Sequence, residues 1–206
     1  MNDRERYNTF LIFGAPGSGK GTQGQVIGQI PRFFHCACGD VFRSLDTRSE
    51  LGQEFLNYSS QGLLVPDELT VRLWKSQIKA QVTTQLYKPD IDFLVLDGIP
   101  RNVEQAKIME EYVKVHRVFH LSLKDRGELA RRLRKRALKD NRLDDANETV
   151  VEQRIKLYEE ETRPMLEYYD DAIVSQIDAS LHPAEVMLEI LNIVTKLEVF
   201  TSAPKV

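Results

Sequence analysis

Residues 14–23, GAPGSGKGTQ, combine glycines, a lysine and a hydroxyl in a spacing suited to holding phosphate. Glycine permits dihedrals that turn successive backbone N–H groups towards one anion, and a lysine adds a point charge for outer phosphates. Gly14, Gly19 and Lys20 satisfy the pattern G-x-x-x-x-G-K-S/T, whose final hydroxyl helps to hold magnesium. Gly21 follows the lysine instead, and the hydroxyl comes one residue later, at Thr22. The segment therefore indicates either a damaged nucleotide site or one of a different kind.

The elements that flank this segment help to decide whether it is a phosphate-binding loop or an ordinary glycine-rich turn. An apolar run of strand length, residues 9–13, precedes it, and a helix is expected to begin at or just after Lys20. The positive end of that helix dipole adds to the same anion site. Because strand before and helix after is the context that confirms the motif, a phosphate-binding loop is favoured.

A second group of chemically capable residues follows another predicted strand, in LDGIPR (96–101). Asp97 is placed where a carboxylate reaches magnesium, directly or through water. Gly98 removes a side chain so that a ligand can approach the backbone, and Arg101 can form a forked pair of bonds to phosphate. Asp97 is also a plausible strand-end turn former, and the neighbouring loop favours the functional interpretation.

A group of arginines follows the fourth predicted strand. They are Arg131, Arg132, Arg134, Arg136, Arg142 and Arg154. Arg132 and Arg136 are four residues apart and share a helix face. A pair such as Glu128–Arg132 is also typical of a solvated helix face. The excess of guanidinium groups over the needs of one triphosphate favours a second, phosphate-bearing acceptor, since phosphoryl transfer neutralises charge on both partners.

The whole chain alternates short apolar runs with longer segments of helical period. Predicted strands cover residues 9–13, 32–37, 92–96, 117–123 and 172–177, and predicted helices include residues 67–81, 102–114 and 126–139. This alternation predicts a three-layer α/β fold, with a five-stranded parallel sheet covered by helices on both faces. Ligands of such sheets bind beyond the C-terminal ends of the strands, where the loop, Asp97 and Arg101 fall.

Composition limits the classes of protein that fit. The chain has 206 residues, 42% of them apolar, and a net charge of −3, which indicates one globular domain without an overall attraction to nucleic acid or membrane. No apolar run reaches membrane-spanning length, and no leader is visible at the start. Cys36 and Cys38 are too close for an easy disulfide, so reduced thiols and a cytoplasmic location are expected.

Several motifs, in this order, resemble the adenylate kinase family of nucleoside monophosphate kinases. GAPGSGKGTQ has that family's own form of the loop, CGDVFRS resembles TGDLLR, GLLVPDELT resembles G-x-L-V-P-D, and LDGIPRNVEQA resembles D-G-F/Y-P-R-x-x-x-Q. RLRKRALKDNRLDDANET resembles the arm from lid to closing helix. The resemblance implies one P-loop nucleoside triphosphate hydrolase-like domain over residues 1–206, with an acceptor-binding insert at 39–68 and a short lid at 136–142.

The resemblance also implies a donor site. The ATP phosphates would be held by Gly17, Ser18, Gly19, Lys20, Gly21 and Thr22, while Arg132 packs on the adenine and Arg136 meets the phosphates. Mg²⁺ would be held mainly by phosphates and water, with Asp97 and Thr22 reaching it through water, so the shifted hydroxyl is normal. No zinc is expected, because the short lid region carries no cysteine.

An AMP site is implied on the opposite side of the loop. Its residues would be Cys38, Arg43, Leu63, Leu64, Val65, Gly98, Ile99, Pro100, Arg101, Gln105, Arg142 and Arg154. Arg43 and Arg101 would grip the α-phosphate, and Gln105 would pair with the adenine edge. The groups expected to act on the transferring phosphoryl are Lys20, Arg101, Arg136, Arg142 and Arg154.

Three positions depart from the family pattern. Cys38 stands where a threonine commonly touches AMP, which bears on base selectivity. Ile99 replaces the usual aromatic before Pro100, a bond that is cis in relatives. The run from Arg142 to Arg154 is one residue longer than usual, which bears on the placement of Arg154.

The expected activity is reversible Mg-dependent phosphoryl transfer from ATP to AMP, giving two ADP, by a monomer that binds neither nucleic acid nor membrane. One alternative is a kinase for UMP, CMP or another nucleoside monophosphate, against which Gln105 argues because such relatives tend to carry asparagine there. Another is a nucleotide-sensing module with poor turnover, which would not need an arginine at every phosphate. A nucleic-acid binder using the Arg-rich helix lacks interleaved aromatics.

Overall fold

Five parallel strands form the centre of the part that the computed structural model describes, residues 6–140 and 143–203. The strands are β1 (Tyr7–Gly14), β2 (Phe33–Ala37), β3 (Phe93–Asp97), β4 (Val113–Ser122) and β5 (Val174–Asp178). Their order across the sheet is β2-β3-β1-β4-β5, and all adjacent pairs are parallel. The predicted α/β class with a five-stranded parallel sheet is confirmed.

Helices connect the strands and cover both faces of the sheet. They are α1 (Lys20–Ile27), α2 (Cys38–Arg43), α3 (Glu50–Ser60), α4 (Asp67–Thr83), α5 (Val103–Met109), α6 (Arg126–Asp140), α7 (Leu143–Ala146), α8 (Glu148–Leu157), α9 (Met165–Tyr168), α10 (Pro183–Val194) and α11 (Glu198–Thr201). A π-helical turn, Tyr158–Thr162, continues α8, and a 3₁₀ turn, Asp171–Ile173, precedes β5. None of these helices has the length and apolar composition needed to span a bilayer.

The helix predicted over residues 102–114 is wrong in its second half. α5 ends at Met109, and Val113 opens β4, where it pairs with Tyr7 of β1. The segment from Val113 onward contains β-branched residues that fit a pleated, half-buried surface. The local pattern of this segment suited a helix as well as a strand, and its pairing with β1 gave it the strand conformation.

The sheet is buried because side chains from alternate residues of β1 enter two separate hydrophobic layers. Phe10 and Ile12 pack into one layer, and Leu11 and Phe13 pack into the other. Each of these side chains is at most 3% exposed, and full burial of one such side chain contributes about 1.5–3 kcal/mol. The resulting rigid sheet fixes the positions of the loops that follow its strands.

Strand register brings the functional loops to one edge. Ile12 of β1 and Ala37 of β2 both align with Asp97 at the end of β3, while Gly14 aligns with Leu121 near the end of β4. All of these strands run in the same direction, so the loop after β1 begins beside the carboxylate that ends β3. This edge holds the site described below.

Helix α1 lies unusually close to β2, and two glycines make that approach possible. A Cβ on Gly24 would stand 2.2 Å from Nε2 of His35, and a Cβ on Gly28 would stand 2.7 Å from Cβ of the same histidine. The imidazole occupies space that side chains on α1 would otherwise fill. Burial lowers the pKa of His35, which keeps the ring neutral, although Asp97 and Asp40 partly oppose the shift.

Gly24→Ala is expected to lower the free energy of unfolding by about 1–3 kcal/mol, because the new methyl overlaps the buried ring. The same change in a His35→Ala background should cost little, since the ring is gone and alanine favours helix by about 1 kcal/mol. Gly28→Ala should remain costly in both backgrounds, because alanine at position 35 keeps the Cβ that it meets. Urea unfolding of the variants measures these differences. Equal costs for Gly24→Ala in the two backgrounds would contradict the packing argument.

Candidate active site

A cavity of about 820 Å³ opens at the C-terminal edge of the sheet, and both predicted half-sites border it. On the donor side it is lined by Gly17, Ser18, Gly19, Lys20, Gly21, Thr22, Arg132 and Arg136. On the acceptor side it is lined by Arg43, Leu63, Leu64, Val65, Gly98, Pro100, Arg101 and Arg154, and Asp97 also borders it. Most of the site residues predicted from the sequence therefore line this one cavity.

Three of the predicted residues are placed away from the cavity lining. Cys38, Ile99 and Gln105 are at most 1% exposed and do not border the cavity in this structure. Arg142 lies outside the described residues. The Ile99–Pro100 peptide bond is cis.

The loop after β1 leaves the first turn of α1 open to an anion. Gly19, the N-cap of α1, has φ 99°, a left-handed conformation that favours glycine, and no side chain caps the helix there. Nothing lies within 4 Å of the position that a Cβ on Gly19 would take. N–H groups in the first turn of an uncapped helix have no intrahelical hydrogen-bond acceptor, and phosphate oxygens can accept from them.

Lys20 reaches back over this loop. Its Nζ donates to the carbonyl oxygens of Gly14 at 2.7 Å and Ala15 at 3.1 Å. Burial lowers the pKa of Lys20 to about 8; Asp97 opposes this shift, and three nearby arginines add to it. The ammonium group is therefore held by weak neutral acceptors at a place where phosphate would be a much stronger partner.

This pKa predicts that kcat/KM for ATP falls as the pH rises above about 8, because the free protein then loses the charge on Lys20. The value of kcat should hold to higher pH, since bound phosphates favour the protonated amine and raise its pKa. Steady-state profiles of both parameters across this range are the measurement. A kcat/KM that stays level well above the pKa would contradict the placement of Lys20.

Asp97 provides an oxygen donor suited to magnesium. The residue is 9% exposed, borders the cavity, and its Oδ2 would lie 3.5 Å from a Cβ placed on Gly21. Nε2 of His35 lies 4.0 Å from Oδ2 of Asp97, and because that ring is neutral it does not offset the carboxylate charge, whereas the charge of Lys20 interacts with it. Within the described ranges no three His, Cys, Asp or Glu side chains form a metal cluster. A single carboxylate suits Mg²⁺, which keeps several waters and binds substrate phosphates.

A carboxylate that the sequence reasoning missed holds two of the predicted arginines. Asp145 is 0% exposed; its Oδ2 accepts from Nε of Arg136 and its Oδ1 accepts from Nη1 of Arg154, both at 2.6 Å. Arg136 also has a buried Nη2 without a hydrogen-bond partner in the structure. Arg154 reaches this carboxylate and the cavity despite the added residue before it. The pair DD in RLDDANET was the available signal, but sequence gave no indication of which carboxylate would be buried.

Three further predicted arginines in the described part of the chain also have acceptors. Arg132 donates through Nε to Glu128 at 2.7 Å and through Nη1 to the carbonyl of Ala179 at 2.9 Å. Arg101 donates through Nε to the carbonyl of Gly98 at 2.9 Å, and Arg43 forms an ion pair with Asp40. These partners fix the direction of the guanidinium groups before a ligand arrives.

A glycine loop between a strand and an uncapped helix, at the C-terminal edge of a parallel sheet, defines a P-loop nucleotide-binding protein. The family model described as adenylate kinase matches residues 12–174. The chain belongs to the adenylate kinase family, a family of phosphotransferases, and the resemblance inferred from its motifs is confirmed.

Curated relatives agree with this assignment. The chain is 33% identical to an adenylate kinase of Cyanothece sp. (strain PCC 7425 / ATCC 29141), over 91% of this chain and 95% of the relative. It is 36% identical to an adenylate kinase of Thermobifida fusca (strain YX), over 82% of this chain and 88% of the relative. An adenylate kinase of Mycoplasma pneumoniae is 32% identical, over 84% and 92% respectively.

Proposed function

We propose that the protein catalyses reversible phosphoryl transfer from Mg-ATP to AMP, giving two ADP. The observation that carries this proposal is that one cavity is bordered by the glycine loop with Lys20 and by Arg43 and Arg101. A protein that binds one triphosphate needs only the first set. The volume of about 820 Å³ lies at the upper end of the usual range for ligand pockets, and the adenylate kinase relatives support the same activity.

The donor side works by supplying fixed positive potential. The phosphates of ATP bind to the backbone N–H groups of residues 17–22 at the N-terminal end of α1. Lys20 exchanges its carbonyl partners for phosphate oxygens. Arg132, held beside the carbonyl of Ala179, packs against the adenine. These groups need little rearrangement during the reaction, which is how preorganised charge lowers a barrier.

The acceptor side holds the α-phosphate of AMP between Arg43 and Arg101, with Leu63, Leu64 and Val65 lining the nucleoside. The forked guanidinium geometry matches two phosphate oxygens and so fixes the angle of attack. We assign residues 39–68 to a mobile insert around this nucleotide and residues 136–142 to a short lid. Closure of both would exclude water, which would otherwise accept the phosphoryl group.

Arg136 and Arg154 neutralise charge that spreads over the transferring group. Asp145 keeps both guanidinium groups at the cavity and limits their mutual repulsion before the substrates bind. Arg142 is assigned to the same task by family resemblance alone. The transition state of phosphoryl transfer requires positioned charge and no side-chain nucleophile, so Ser18 and Thr22 act as ligands.

Magnesium arrives with ATP, and Asp97 and Thr22 would hold it through water. When bound, it would neutralise part of the phosphate charge. We also propose that the protein is a monomer, as the family resemblance implies. A cytoplasmic location is supported by the buried free thiols of Cys36 and Cys38.

The test is turnover of AMP, UMP, CMP and GMP with Mg-ATP, measured as formation of both diphosphates. AMP should give the highest kcat/KM. If AMP were among the slowest acceptors, the acceptor assignment would be wrong. Binding of ATP and AMP without turnover of any acceptor would favour a nucleotide sensor.

A further inference from the structure

Asp67, the first residue of α4, joins the insert to the start of α5. Its two carboxylate oxygens accept from Nδ2 of Asn102 at 3.0 and 3.1 Å, and its Oδ1 also accepts from Nε2 of Gln105 at 2.7 Å. Asn102 in turn caps α5, since its Oδ1 accepts from the backbone N–H of Gln105 at 2.8 Å. The three side chains form one network behind the acceptor half of the cavity.

This network fixes the direction of the Gln105 side-chain amide. Its Oε1 accepts from the backbone N–H of Arg101 at 2.9 Å, while its Nε2 donates to Asp67. An ionised carboxylate only accepts and a backbone N–H only donates. A reversed amide would set its oxygen against the carboxylate of Asp67 and its N–H against the N–H of Arg101. Because Gln105 is 0% exposed, water could not relieve these contacts easily, so only one orientation is compatible with these partners.

The fixed amide has a defined remaining hydrogen-bonding capacity. An amide offers two N–H donors and two oxygen lone pairs, and the network uses one of each. A base that pairs with the rest must present an acceptor to the N–H and a donor to the oxygen. Bases with an exocyclic amino group, such as adenine, present this polarity, whereas bases with an oxo group at that place present the opposite one.

We propose that Asp67 is a positioning residue that sets base selectivity: by fixing the Gln105 amide, it makes the acceptor site prefer amino bases over oxo bases. The inference rests on the proposed transfer to AMP. Gln105 itself does not border the cavity, whereas Arg101, four residues earlier, does. Pairing with a base therefore requires that acceptor binding open the buried amide to the cavity, while α4 and α5, which pack on each other, keep their places.

The test compares AMP with IMP, which has the same size and differs only in the polarity of that edge. In Asp67→Asn, residue 67 can donate as well as accept, so one of the two contacts that oppose a reversed Gln105 amide is lost and only the backbone N–H of Arg101 still opposes it. The ratio of kcat/KM for AMP to that for IMP should then fall at least about tenfold, the effect of one mismatched hydrogen bond. A purely structural role would lower both rates together and leave the ratio unchanged.

The matched control is Glu68→Gln, which removes one negative charge from the same first turn of α4. Its ratio should equal that of the wild type. An unchanged ratio in a folded Asp67→Asn variant, or the same fall in Glu68→Gln, would overturn the inference. If Asp67→Asn does not fold, the wild-type protein decides: it should use CMP better than UMP, and the reverse order would overturn the inference.

Failure of this inference is distinguishable from failure of the proposed function. If the wild-type protein transferred phosphate to no nucleoside monophosphate, both the proposed function and the role of Asp67 would be wrong. If the wild-type protein preferred AMP and the variants kept the wild-type ratio, only the role of Asp67 would be wrong.

Discussion

Lys20→Ala is expected to lower kcat for ADP formation at least about 10³-fold, or about 4 kcal/mol of transition-state stabilisation. Lys20 is the cationic side chain of the glycine loop itself, and its Nζ is held 2.7 Å from the carbonyl of Gly14. In the proposed mechanism, this ammonium group follows the phosphoryl group from inside the loop. The KM for AMP should change little, because Arg43 and Arg101 are the groups that we propose to hold the acceptor. Steady-state kinetics with both nucleotides varied is the measurement.

Lys135→Ala is the matched control, since Lys135 also borders the cavity but is exposed on α6. Solvent and salt screen an exposed charge, so its loss should change kcat less than about tenfold. Thermal unfolding of both variants separates lost chemistry from lost structure. A folded Lys20→Ala protein with near wild-type kcat would contradict the assigned role.

The fold could be predicted from the sequence because its strongest signals are local. Strand-length apolar runs such as the one around Phe10, and the longer helical segments between them, indicated a parallel sheet without knowledge of any long-range contact. The error between Met109 and Val113 arose where local patterns were ambiguous. There the pairing of Val113 with Tyr7, distant in sequence, determined the outcome.

Most of the residues that border the cavity could be predicted from the sequence, but the groups that hold them could not. Lys20 and Arg101 are recognisable because their motifs are contiguous. The partners of the arginines and of Gln105, namely Asp145 and Asp67, lie in other elements, and sequence does not say which atoms meet. Gly24 shows the same limit, since the glycine's cost to the helix is visible in the sequence but the ring of His35 that requires it is not.

Asp145→Ala is expected to lower both stability and activity. Its carboxylate is 0% exposed and accepts at 2.6 Å from Arg136 and from Arg154, so its loss leaves two guanidinium groups without this shared acceptor. Breaking a buried pair costs about 3–5 kcal/mol, and partial exposure of the two arginines reduces this to about 2–4 kcal/mol of unfolding free energy. Urea unfolding measures the loss. Asp46→Ala, which removes an exposed partner of Arg48, should leave the free energy of unfolding almost unchanged, because solvent screens that pair.

The kinetic consequence of Asp145→Ala distinguishes two roles for that carboxylate. If it positions Arg136 and Arg154 for the transition state, kcat should fall at least about 100-fold even where the protein is folded and saturated. If the Asp145 carboxylate only balances the charge of the two arginines, bound phosphates would balance that charge in its place. The kcat of the variant at saturating ATP would then equal that of the wild type. Binding and catalysis respond differently because only interactions stronger in the transition state raise kcat. We expect the first result, because each guanidinium group donates to a different oxygen of Asp145, which fixes the direction of both.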